Sequence, residues 1–121
     1  MLGSSKNKEK NNSLPGQAVI NLIGVGTQIQ GNIQCNGDIR IDGEVFGDVT
    51  VGQKLVVGST GSIKGNVFAS EVSVSGTILG NIKSDNATIL MGKSTVTGDV
   101  FTAQIVIEQG ATFNGKCEMK G

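Results

Sequence analysis

The chain of 121 residues has no tryptophan, tyrosine or histidine, and its only proline is Pro15. Each absence removes a possibility. Without histidine there is no imidazole to serve as general base or metal ligand. Beyond Pro15 no backbone N–H is lost, so hydrogen-bonded strand ladders can run uninterrupted. No apolar run approaches the roughly 18 residues of a membrane span. No apolar segment follows the early lysines to form a secretory signal, so the chain is expected in the cytoplasm. The formal net charge is zero, and no basic stripe marks a nucleic-acid surface. The only aromatic residues are four phenylalanines, so any core must be filled mainly by aliphatic side chains.

What the chain has instead is glycine, 19 residues of it, set among valines and isoleucines. Six stretches share one pattern: "IQGNI", "VFGDV", "IKGNV", "ILGNI", "VTGDV" and "FNGKC". Their central glycines are Gly31, Gly47, Gly65, Gly80, Gly98 and Gly115, at intervals of 16, 18, 15, 18 and 17 residues. Such a period marks an internal repeat. Residues two apart in a strand face the same side, so the apolar residues flanking each glycine point inward and the glycine makes a corner. A second apolar pair follows most corners: Ile39 and Ile41, Leu55 and Val57, Val72 and Val74, Ile105 and Ile107. In the fourth interval the expected inward pair is Ile89 and Met91.

A coil of about 17 residues then holds roughly three short strands, and it buries its inner face only by stacking on other coils. The predicted fold is all-β, a single-stranded parallel β-helix of about six coils over residues 19–121. Stacking aligns Ile29, Val45, Ile63, Ile78, Val96 and Phe113 in one column. Ile33, Val49, Val67, Ile82, Val100 and Cys117 form another. An antiparallel sandwich of short strands also gives alternation and glycine turns, but it does not demand a near-constant coil length. Residues 1–18, small, polar and charged, are expected to form a disordered N-terminal tail.

Catalytic and metal chemistry find little support. The intervals are not multiples of six, and histidine is absent, so the pattern of the left-handed hexapeptide acyltransferases fails twice. Asp38, Asp42, Glu44 and Asp48 cluster in sequence, which could suggest a metal or an acid–base pair. Their alternation with inward residues predicts a solvated face instead. Cys35 and Cys117 are separated by about five rungs, or about 24 Å, too far for an intrachain disulfide. From its column, Cys117 is expected to be a small buried apolar residue. No catalytic, cofactor or metal residue is assigned.

The run "GTQIQGNIQCNGDIRIDGEVFGDVTV", the recurring "G-[ND]-[IV]" corners and the closing "IVIEQGATFNGKCEM" closely resemble the bactofilins, over roughly residues 22–119. The resemblance implies a right-handed β-helix and a bacterial cytoskeletal protein that polymerises end to end, without nucleotide, into nonpolar filaments. It also implies attachment to the inner face of the cytoplasmic membrane through a short N-terminal segment, and cell-wall-modifying enzymes as partners. A phenylalanine in the closing segment is implicated in polymerisation in that family, which points to Phe113. Ordinary core packing is the other reading of that residue.

Three further features bear on function. Lys6, Lys8 and Lys10 against Glu9 give the tail a charge of +2, leaving −2 for the remainder, and Met1 and Leu2 add an apolar start. This is either a small amphipathic membrane anchor or a solubilising tail. Phe68 and Phe101 each follow a corner glycine by three places and so face outward, either as a lateral patch or as single exposed residues without a role. No capping element follows the last corner, and "VINLIGVG" is either a partial cap or a first coil. A filament subunit is therefore the leading expectation. A monomeric β-helical binding module would need a cap, and a β-helical enzyme would need clustered acid and base groups.

Overall fold

A computed structural model of the chain describes residues 20–119. The expected tail at residues 1–18, including Met1, Leu2, Lys6, Lys8 and Lys10, lies outside the described residues. Strand β1 (Ile20–Ile23) precedes the first complete coil, which holds β2 (Gln28–Gln30), β3 (Ile33–Cys35) and β4 (Asp38–Ile41). The second coil holds β5 (Glu44–Phe46), β6 (Val49–Val51) and β7 (Lys54–Val57). In the third and fourth, the second and third strands run together: β8 (Ser62–Lys64) with β9 (Val67–Val74), then β10 (Thr77–Leu79) with β11 (Ile82–Leu90). The fifth holds β12 (Thr95–Thr97), β13 (Val100–Thr102) and β14 (Gln104–Ile107), and the chain closes with β15 (Thr112–Asn114) and β16 (Cys117–Met119).

Every pairing between these strands is parallel and joins one coil to the next. The register reproduces both predicted columns. Ile29, Val45, Ile63, Ile78, Val96 and Phe113 align on one face. Ile33, Val49, Val67, Ile82, Val100 and Cys117 align on the next. This is a parallel β-solenoid of about six turns, as the repeat requires. Its core is an aliphatic column in which Ile41, Leu55, Ile63, Ile78 and Leu90 are fully buried.

The corners explain the glycines. Gly47 has φ +154°, and a Cβ placed there would strike the carbonyl oxygen of Gly31 in the preceding coil. Backbone stacks on backbone at this corner, so the position excludes any side chain for reasons of space as well as dihedral angle. Directly after the glycine of the first five corners, a side chain fastens the coils. The backbone N–H of Asp48 donates to Asn32 Oδ1, that of Asn66 to Asp48 Oδ1, and that of Asn81 to Asn66 Oδ1. The series continues from Asp99 N–H to Asn81 Oδ1 and ends with Lys116 N–H donating to Asp99 Oδ1. Each Asn or Asp thus satisfies a corner N–H that turns away from the strand ladder.

The fourth coil departs from expectation. The inward pair is Thr88 and Leu90, both buried, whereas Ile89 and Met91 are only half-buried. Ser84 pairs with Ala69 but Ala87 pairs with Glu71, so β11 carries one more residue than β9 between these points. Ser84 Oγ lies 2.8 Å from the carbonyl oxygens of both Ser70 and Ala87 and holds this bulge in place. The extra residue fixes the side-chain parity, and hydropathy, which favoured Ile89 over Thr88, loses to it.

Thr88 Oγ1 is buried with no hydrogen-bond partner among the described residues. Thr88→Val should therefore stabilise the fold by about 1 kcal/mol, a rise of roughly 4–8 °C in melting temperature. Thermal unfolding followed by far-UV circular dichroism checks this, and an unchanged or lower midpoint would mean that the hydroxyl is satisfied in solution.

Candidate assembly interface

The chemistry of this molecule is concentrated at its two ends. On the C-terminal side, β14, β15 and β16 each pair with one earlier strand, and nothing covers their other side among the described residues. The loss of a covering coil shows in side-chain exposure. Leu90 is 0% exposed, but Ile107 above it is 48% exposed; Thr102 is 0% exposed, but Met119 above it is 49% exposed. Cys117 aligns with buried Val100 yet is itself exposed, which corrects the expectation of a buried thiol. Its column position is as predicted; it is uncovered because no coil among the described residues stacks on it. Phe113 fares differently. Stacked on Val96, its large ring stays half-buried and packs against the core, so it partly closes the mouth that the smaller side chains leave open.

At the N-terminal side, β1 answers the question of cap or coil. It is the one strand of a preceding coil among the described residues, with Asn21 on Ile39 and Ile23 on Ile41. It covers only β4. Strands β2 and β3 have nothing on their outer side among the described residues, and Ile29, Ile33 and Cys35 are correspondingly half-buried. Among the described residues both ends therefore combine unpaired strand edges with uncovered apolar columns, the two features that solenoids ordinarily cover with capping elements.

The Asn/Asp series makes these ends unlike each other. At Asn32 it begins with a backbone N–H that meets no such acceptor among the described residues, and at Lys116 it stops at an ammonium side chain that can accept nothing. Sequence reasoning saw the "G-[ND]-[IV]" corners without assigning the side chain a task. The usable signal was the Asn or Asp that follows the corner glycine in five coils and gives way to Lys116 in the sixth.

On the outer surface, Phe68, Lys83 and Phe101 share one column, each in a successive coil. Phe68 and Phe101 are thus two coils apart and outward-facing, with Lys83 Nζ 5.8 Å from the centroid of the Phe101 ring. A groove of about 540 Å³ runs beside them. The acidic residues are dispersed among separate tasks. Asp38 Oδ1 accepts from Lys54 N–H, Glu44 Oε1 from Gln28 Nε2, and Asp48 serves the corner series. Asp42 pairs with Arg40 at 2.9 Å; this hydrogen bond, and then the carboxylate charge, hold the guanidinium above its ordinary pKa. Among the described residues no group of three or more such side chains could hold a metal.

Three curated relatives from Myxococcus xanthus (strain DK1622) resemble this chain. Bactofilin BacN is 39% identical over 98 residues, covering 81% of this chain and 87% of its own. Bactofilin BacO is 30% identical and covered to 78%. Bactofilin BacP is also 30% identical, but this chain spans only 41% of its length. The solid-state NMR structure of the cytoskeletal bactofilin BacA superposes with a TM-score of 0.76 at 38% identity, covering 85% of this chain and 98% of that one. Residues 21–118 match the family described as "Bactofilin: Polymer-forming cytoskeletal". A glycine-cornered parallel solenoid, this chain belongs to the bactofilins, a family of polymer-forming cytoskeletal proteins.

Proposed function

We propose that this chain assembles end to end, without nucleotide, into nonpolar filaments. They lie on the inner face of the cytoplasmic membrane and scaffold cell-shape or cell-wall machinery, and no catalytic role is assigned. The observation that carries the reading is the pair of open ends, where apolar columns continue to the last coil and lose their cover there. Burying these residues against a second copy removes apolar area from water, and the exposed strand edges gain partners. No nucleotide is needed, because the driving surface is already in place in the folded chain. The corner series supports like-to-like contacts. In a head-to-tail stack, Lys116 would meet the backbone N–H of Asn32 where every internal junction supplies an acceptor oxygen.

Membrane attachment is assigned to Met1, Leu2, Lys6, Lys8 and Lys10. A lysine near an anionic surface contributes about 1 kcal/mol, so one segment binds weakly and a polymer carrying many binds well. No helix among the described residues is long and apolar enough to cross a membrane. Purified protein in nucleotide-free buffer should form filaments by electron microscopy. Deleting residues 1–10 should leave the filaments but abolish sedimentation with anionic liposomes, and added salt should weaken the binding of the intact protein. Short particles at micromolar concentration would refute the filament reading; liposome binding by the truncated protein would refute the anchor.

A further inference from the structure

The groove beside Phe68 and Phe101 has features that end-to-end assembly does not use. It crosses four successive coils on the outer surface, from Asn66 and Phe68 to Lys116 and Glu118. One wall is built from Phe68, Lys83 and Phe101, and Glu118 continues the same column. The opposite wall carries Asn66 and Asn81 and continues with Asp99 and Lys116. Because the Oδ1 atoms of both asparagines accept backbone N–H groups of the next coil, their Nδ2 groups are left as donors. Phe68 is 43% exposed, and Lys83 has no ion-pair partner among the described residues.

The spacing of these parts selects a ligand. Phe68 and Phe101 are two coils apart, about 9.6 Å along the axis. A polyproline II chain advances about 9.3 Å per turn of three residues, so prolines at i and i+3 would lie over the two rings in step. Its backbone carbonyls make no internal hydrogen bonds and are free to accept from Asn66 and Asn81. The Lys83 backbone lies in the coil between the rings, and its Nζ rests 5.8 Å from the Phe101 centroid, from which an acidic residue between the two prolines would draw it. We propose that this groove binds a proline-rich segment of a partner protein in the polyproline II conformation, with an acidic residue between its prolines placed against Lys83. Aromatic stacking, carbonyl recognition and one charge contact are the elements by which such segments are generally read.

Other occupants fit less well. A two-fold contact with a second copy centred on the Phe68–Phe101 pair would oppose Lys83 to Lys83. The chain's own N-terminal segment has a single proline, Pro15, and cannot supply the i, i+3 pair.

The test is fluorescence anisotropy of labelled peptides titrated with the full-length protein. A peptide of Pro-Pro-Glu repeats should bind saturably, and Gly-Gly-Glu repeats of equal charge should bind at least about tenfold more weakly, since they are not pre-organised. The double variant Phe68→Ala, Phe101→Ala should lose at least about tenfold in affinity. Lys83→Glu should transfer the preference to Pro-Pro-Lys repeats. All three side chains point outward, so unchanged far-UV circular dichroism establishes that the variants are folded. Absence of saturable binding at millimolar peptide, or equal binding of Gly-Gly-Glu repeats, would overturn the proposal. So would a double variant that loses only lateral bundling of filaments, which would assign the groove to a second copy.

Discussion

Phe113→Arg should abolish filaments while leaving the solenoid folded. In the isolated chain, the ring sits at the open C-terminal end, packed on Val96 and the core below it but uncovered above. An arginine there can direct its guanidinium to water, so the monomer loses little more than the contact of one ring. In an end-to-end junction the same charge is enclosed without a partner, at a cost of about 3–5 kcal/mol. Each 1.4 kcal/mol is about tenfold in affinity, so the junction should weaken by roughly a hundredfold or more. Sedimentation and electron microscopy should show monomers or dimers, with a far-UV spectrum like that of wild type. Binding to anionic liposomes should fall as well, although the N-terminal segment is untouched, because avidity is lost with the polymer. Persisting filaments would show that the ring is ordinary core packing, and undiminished liposome binding would show that one segment suffices.

Gly98→Ala should be strongly destabilising for so small a substitution. Gly98 has φ +139°, and an added Cβ would strike the carbonyl oxygen of Gly80 in the coil beneath. The dihedral strain alone costs about 1–3 kcal/mol, and the backbone collision forces two coils apart. A total of about 3 kcal/mol or more is expected, a large share of the roughly 5–15 kcal/mol that holds a domain together. Gly31 supplies the control, with φ +134° but open space where its Cβ would be. Gly31→Ala should therefore cost only the dihedral strain. Urea unfolding of the two variants separates the contributions; equal midpoints would mean that stacking at the corner is not tight in solution.

The fold was legible because the repeat states the same constraint six times. A column such as Ile29, Val45, Ile63, Ile78, Val96 and Phe113 needs only the corner glycine as an origin and side-chain alternation as a ruler. The reading failed where a coil departs from its neighbours. Thr88 is inward because β11 has an extra residue near Asp85 and Asn86, and no local property of Thr88 announces it. Cys117 stands in the expected column but is exposed, because burial depends on whether another coil covers the column, which the column pattern does not encode. The task of the corner asparagines and aspartates went unread for a related reason. Each one acts on the next coil, 15 to 18 residues away, rather than on its own strand. The outward column of the groove obeys the corner rule, since Phe68, Lys83 and Phe101 each stand three places after a corner glycine.

The parallel stacking of coils also sets how a polymer of this chain would respond to a pull along its length. Load would pass through the gaps between coils in series. Within a protomer every gap is bridged by strand pairing, by the shared core, by the corner side chains and by the covalent chain itself. At a junction between protomers the covalent link is missing, and the corner series has reached its end at Lys116. An overstretched filament should thus sever at its junctions before any coil unravels. The fragments would carry intact, uncovered ends and could rejoin without refolding, so breakage under tension would be a reversible event rather than damage.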